Sequence, residues 1–329
     1  MNYFPECIST IKSEATFATS RIELENNTEN KSLAWFLLIL LSVVWGASYI
    51  LIKFSLHDGD GNERLKPDQL GAVRMVIASL VLLPFFFKYY RNIQKKHIVP
   101  ILISGFCGNG IPAYLFAYAQ MTLPSAITGM LNSFVPIFAI SISALIFGFK
   151  IRWNHLVGIV LGILGAYVIM YSKLEGVQLT EKEIVPFVLV MLATLCYAIS
   201  LNVIKYQLSD LRPMTITSAA FLSVGLPSLI YLLFTDISTQ VSSQAHIWEG
   251  IGLVSLLAVM GTAVAVYLFN HLIKISSPIF ASSVTYFIPV VATVFGVVFG
   301  ESISQYQMIG MFILIMGVLL INRQQKKKG

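Results

Sequence analysis

The chain's strongest constraint is a train of about ten apolar runs, each close to the ~20 residues that cross a bilayer as helix, set between short polar breaks. The runs fall at 34–54, 68–87, 97–119, 126–148 and 153–171, and again at 184–206, 214–234, 247–273, 279–300 and 306–321. In lipid every backbone N–H and C=O must find an internal partner, so runs of this length become helices. Composition closes the soluble alternative. Of the 329 residues 56% are hydrophobic and 12% charged, with a mean hydropathy of +0.77, which is more apolar surface than a water-soluble fold can hide. The predicted fold is an all-α polytopic membrane protein whose first partner is the bilayer, with no space for a soluble catalytic domain.

The net charge of +6 is explained by topology rather than by nucleic acid, because the cations sit in short runs between apolar stretches. If the amino terminus is cytoplasmic, the inner breaks and the carboxyl tail hold Lys88, Arg91, Lys95, Lys96, Lys150, Arg152, Lys205, Arg212, Lys274, Arg323, Lys326, Lys327 and Lys328. The other side holds Arg64, Lys66, Lys173 and Lys182, with Lys53 at a run's end. Lysine and arginine concentrate on the cytoplasmic side of membrane proteins, so both termini are expected there, in a multi-pass cell-membrane protein. Residues 1–32, polar and acidic, read as a disordered cytoplasmic tail, and 323–329 as a basic one. Cys7, Cys107 and Cys196 are too few and too scattered for a disulfide framework or a metal site.

The two halves repeat one another. Residues 48–56 (SYILIKFSL) lie over 200–208 (SLNVIKYQL), and Leu65-Lys66-Pro67 over Leu211-Arg212-Pro213. Gly108 with Tyr114-Leu115-Phe116 matches Gly261 with Tyr267-Leu268-Phe269, and Phe134-Val135-Pro136 matches Phe287-Ile288-Pro289. Gly148, Gly158 and Gly165 match Gly300, Gly310 and Gly317 at identical spacing. Five spans is an odd number, so the second copy must lie upside down relative to the first. Inverted repeats of this kind build secondary transporters, with a site near the midplane.

These residues resemble the EamA-type branch of the drug/metabolite transporter superfamily. The resemblance rests on Trp45-Gly46-Ala47-Ser48 leading to Lys53, Pro67 with Arg74, Pro136, the Phe147-Gly148 and Phe299-Gly300-Glu301 helix ends, and the closing glycines. It covers nearly the whole chain without its tail, with one five-helix repeat at 33–173 and the other at 184–322. One position departs from the family pattern: the acid after Phe-Gly is present as Glu301 but replaced by Phe149-Lys150 in the first copy. The resemblance implies a carrier of amino acids, other metabolites or drug-like compounds, working without ATP or a cofactor. It also implies a cavity lined by spans one, three, four, six, eight and nine.

On those spans polar and aromatic residues are dense: Trp45, Ser48, Tyr49, Asn109, Tyr114, Tyr118, Asn132, Tyr197, Ser200, Asn202, Tyr267, Asn270 and Tyr286. Individually they can join helices by hydrogen bonds; together they suit a small amphipathic substrate. Arg74, two turns inside the second span, either meets a substrate carboxylate or pins helices by pairing with Asp68, Glu301 or carbonyls. Lys53 and Lys205 end matching spans, as interfacial anchors or as gate contacts. Pro136 and Pro289 are expected to kink matching helices as hinges. His271 is the titratable group that could couple protons. Gly105, Gly108 and Gly110 around Asn109 read as a stripe for close packing. A hydrolase reading finds no GxSxG or HExxH pattern and a sensor reading no docking domain, which leaves transport, with export favoured over uptake or exchange.

Overall fold

Beyond one isolated bridge (His57 with Glu63), helix is the regular structure of the described residues. The structure, a computed structural model, describes residues 31–58, 61–171, 181–243, 246–276 and 284–322, except the side chains of 181–183, 242–243, Asn270, Ile273, Lys274 and Asn322. Both expected tails lie outside them, save that Lys31 and Ser32 already belong to the first helix.

Among the described residues eight helices are long and apolar enough to span a membrane: α1 Lys31–Leu56, α2 Pro67–Asn92, α3 Lys95–Ala119, α4 Ser125–Phe147, α5 Trp153–Tyr171, α6 Ile184–Gln207, α7 Pro213–Leu233 and α8 His246–Phe269. Two shorter apolar helices follow, α9 Val284–Val298 and α10 Gln305–Ile321. Helix starts obey local chemistry. Pro67 and its counterpart Pro213 stand in the first turns of α2 and α7, where no N–H is missed. Gly148 and Gly300 stop α4 and α9 at φ of 67° and 84°, a left-handed turn that glycine adopts without a Cβ penalty.

Among the described residues three spans change helix type in mid-course. In α4, Ser125–Leu131 gives way to a 3₁₀ turn at Asn132–Phe134 before Val135–Phe147 begins, with Pro136 in the first turn of that second segment. Pro289 instead lies inside α9. In α3 and α8 the chain widens into π-helix, at Phe106–Gly110 and Val259–Val264. The Gly105–Gly110 stretch, expected only as a packing stripe, is thus a local unwinding. Its repeat counterpart around Gly261 does the same.

Large apolar side chains point outward, with Leu145 and Phe234 each 86% exposed, while glycines mediate contact between helices. Lipid supplies no hydrophobic drive for helix association, so close approach through small residues must. A Cβ on Gly158 would lie 2.5 Å from the Gly317 carbonyl oxygen, and one on Gly165 2.7 Å from that of Gly310. These contacts are images of one another under the repeat, since Gly158 matches Gly310 and Gly165 matches Gly317. They hold α5 against α10 in antiparallel directions. The α2–α7 contact is also self-symmetric: Ser79 faces Gly225, its own counterpart, with a Gly225 Cβ falling 2.3 Å from the Ser79 Cβ. A pseudo-two-fold axis relating the repeats passes through both contacts.

Candidate functional site

The same symmetry builds the centre. On α1 the Trp45 indole N–H donates to the Gly261 carbonyl at 2.9 Å, reaching an acceptor that the π turn of α8 presents. Its ring packs on Phe269 with centroids 5.4 Å apart. One turn on, Ser48 bonds its own helix at Val44, and its Oγ would lie 3.2 Å from a Gly261 Cβ. The counterpart on α6 is Tyr197, stacked on Phe116 at 5.8 Å, and the counterpart of Ser48 is Ser200, whose Oγ would lie 2.4 Å from a Gly108 Cβ. An aromatic residue, a serine, a π-turn glycine and a phenylalanine therefore recur in both halves. Phe116, Phe269 and Gly261 were visible in the repeat match but not read as parts of a site. π-Helical segments gather at functional sites, and the match alone carries no sign of them.

Chemistry enters where the symmetry fails. Tyr49 (counterpart Leu201) is buried and meets Phe116 edge-on at 5.8 Å, so Phe116 lies between the Tyr49 and Tyr197 rings. Arg74 (counterpart Ala220) comes from α2 into electrostatic reach of both phenols. It is enclosed by protein, yet the residue as a whole is only half-buried. Its Nε is sealed without a hydrogen-bond partner. Neither expected ion pair forms, because Asp68 accepts from the Tyr231 hydroxyl at 2.7 Å and Glu301 is held elsewhere. A cation unpaired at helix centre costs roughly 2.5–3.5 kcal/mol on insertion scales. Asn132 (counterpart Thr285) sits in the 3₁₀ turn of α4 with its Oδ1 buried and unpartnered. One turn earlier Gly129 lies against the Tyr49 ring, where a Cβ would be 3.2 Å from Cδ2.

Other expected site residues stand differently. Asn202 accepts from the Ser143 hydroxyl and donates at 2.9 Å to both the Ala139 and Ala198 carbonyls, so its amide joins α6 to α4 with little capacity left. Ser200 bonds the Ser104 hydroxyl at 3.2 Å, joining α6 to α3. Tyr114 meets Ser228 at 3.2 Å, and Asn109 is half-buried on the π turn. Tyr267 is exposed on the outside of α8, and Phe269 holds the inward position there. Tyr286 packs on the core, His271 is exposed on the last turns of the same helix, which runs on to Ile275, and the Asn270 side chain lies outside the described residues. The two free thiols, Cys107 and Cys196, engage each other between the α3 π turn and α6.

The ends of the spans are unlike. At one end Lys53 pairs with Glu301 at 2.7 Å, and the Glu301 carboxylate also accepts from the Ser125 N–H and hydroxyl and the Ala126 N–H at 2.8–3.0 Å. It thereby caps the start of α4, where a negative charge is favoured. Burial alone would raise the Glu301 carboxyl; the Lys53 ammonium and the capping donors outweigh it and hold the pKa below the ordinary glutamate value. At the other end the counterpart of Lys53 is Lys205 and that of Glu301 is Phe149. There the ammonium lies over the Phe149 ring at 5.9 Å and the Tyr206 ring at 5.0 Å, with Phe147 stacked on Tyr206 at 4.1 Å. An ion pair marks one end and a cation–π contact the other.

A family model described as the EamA-like transporter family matches the chain twice, over residues 32–171 and 185–323. An uncharacterized transporter of Archaeoglobus fulgidus is 23% identical over 88% of this chain and 99% of its own length. The uncharacterized inner membrane transporter YedA of Escherichia coli is 25% identical over 86% and 89%. A probable amino-acid metabolite efflux pump of Salmonella typhimurium is 23% identical over 87% and 93%. A solved structure titled only as a crystal structure of protein shares the fold, with a TM-score of 0.57 at 17% identity over 88% of this chain and 96% of its own. With both halves matched and the two copies related as images in space, the chain belongs to the EamA-like transporter family.

Proposed function

We propose that the protein is a secondary carrier that exports small metabolites, amino acids or related amphipathic compounds, by alternating access between its two inverted repeats. The two shorter helices complete ten spans, with both ends cytoplasmic as the lysine and arginine distribution requires. The observation that carries this reading is the pair of unlike end contacts flanking one central site: Lys53 with Glu301 at one end, and Lys205 with Phe149 at the other. A carrier needs each end to close in turn over a shared site, and repeat-related lysines at opposite ends are placed for it. Export follows the efflux names carried by relatives of 23% identity. Exchange is the second reading, favoured by the unpaired Arg74, since a vacant site closes over a bare charge and an occupied one need not.

The test is counterflow of labelled amino acids into proteoliposomes, with loss of intracellular amino acids followed in cells that express the protein. Stimulated uptake into preloaded vesicles, with accelerated loss from cells, is the expected result. Vesicles that equilibrate no solute faster than protein-free controls would contradict a carrier.

A further inference from the structure

The scaffold around the centre is two-fold symmetric, whereas the polar groups facing it are not. Trp45 with Ser48, Gly261 and Phe269 is mirrored by Tyr197 with Ser200, Gly108 and Phe116. The residues that break the mirror are Arg74, Tyr49 and Asn132, whose counterparts are Ala220, Leu201 and Thr285. All three belong to the first repeat and converge. Arg74 is electrostatically coupled to Tyr49, and Asn132 stands one turn from the glycine that packs on the Tyr49 ring. They also hold unspent polar capacity. Arg74 Nε and Asn132 Oδ1 are buried without partners.

A cation kept for structure would be expected beside a carboxylate, because pairing removes its cost. The two acids that could serve are committed to Tyr231 and to Lys53 with the α4 cap. We infer that the counter-ion of Arg74 is the substrate's own carboxylate, and that the site takes small apolar monocarboxylates. The apolar body lies against the Tyr49, Phe116 and Tyr197 rings, and the guanidinium receives the anionic head in the fork geometry it offers carboxylates. One arginine without a second neighbouring cation balances a single charge, which disfavours phosphate monoesters. Asn132 Oδ1 is the acceptor available to an α-ammonium group, so amino acids fit with both ends engaged.

This inference rests on the carrier reading for delivery, while binding can be tested apart from it. Purified wild-type protein is titrated with alanine, valine, leucine and phenylalanine and with their carboxamides, following ligand-induced thermal stabilisation, and the same pairs are run in counterflow. At least one acid is expected to bind about tenfold or more tighter than its amide. Arg74→Gln should erase that preference and Arg74→Lys should keep part of it. Amides binding as well as acids, no acid binding, or a glutamine variant that keeps the preference would each overturn the inference. If the glutamine variant fails to fold, the wild-type acid and amide pairs decide alone. Acids that bind through Arg74 but are not moved would leave the site standing and remove the carrier. Movement of amides untouched by Arg74→Gln would do the reverse.

Discussion

Two asparagines read alike in the sequence separate once their bonds are known. Asn202 spends its amide on Ser143, Ala139 and Ala198, so Asn202→Ala should lower thermal stability in detergent by about 1–2 kcal/mol, as two interhelical bonds of about 0.6 kcal/mol each are lost together with one within α6. Asn132 has an unpartnered Oδ1, so Asn132→Ala should leave stability nearly unchanged and instead slow transport. A variant pair with the opposite pattern would exchange their roles. Sequence alone showed that polar residues were dense on these spans, but not which had already found partners. Hydrogen bonding between helices depends on which faces meet, and Tyr267, which matches Tyr114 in the repeat yet points outward, shows how far a repeat match can mislead about direction. Arg74 was the more legible residue, since a charge at that depth demands an explanation from any reading.

At the scale of elements, the unequal ends make the sharpest forecast. Exposed cation–π contacts are worth about 0.5–1 kcal/mol, whereas removing one partner of a largely buried ion pair costs about 3–5 kcal/mol. With Lys53 about one third exposed, a lower figure applies here, yet the Glu301 end is still the firmer. Glu301→Gln should loosen that end, and Phe149→Glu should give Lys205 an acid of its own and firm the opposite end. Limited proteolysis or spin-label distances across each end would report the shifts, which are expected in opposite directions. The sign of the pH effect follows from the lowered carboxyl pKa. The carboxylate's contribution is complete above the ordinary glutamate value, about 4.3, and is lost as pH falls through the lower folded value, so that end should open in acid. The missing acid at Phe149 was plain in the sequence, and the cation–π contact that replaces it was not. Likewise the matched glycines announced a repeat, while the π turns they sit in depend on backbone contacts that no spacing encodes.

For the molecule as a whole, the repeat supplies the packing and, for the proposed carrier, the mechanism. Gly165→Val would push a branched side chain into the Gly310 carbonyl and Leu314, and should cost about 1–3 kcal/mol by overpacking the α5–α10 seam, read as lowered thermal stability with the rest of the fold kept. On the exchange reading, closing the vacant site over an unpaired Arg74 carries a penalty near the 2.5–3.5 kcal/mol insertion cost, so exchange should outrun net efflux by on the order of a hundredfold. The repeat was legible because its matched residues recur at a nearly fixed offset, whereas among the described residues the last two helices are shorter than their apolar runs. Access to the centre is the direct test. In protein freed of Cys7, Cys107 and Cys196, a single Asn132→Cys thiol is offered to a membrane-impermeant maleimide from each side in turn. Labelling should come from the Lys205 end alone at neutral pH and move toward the Lys53 end when Glu301→Gln is added; labelling from both ends at once, or a pattern blind to Glu301, would contradict alternating access.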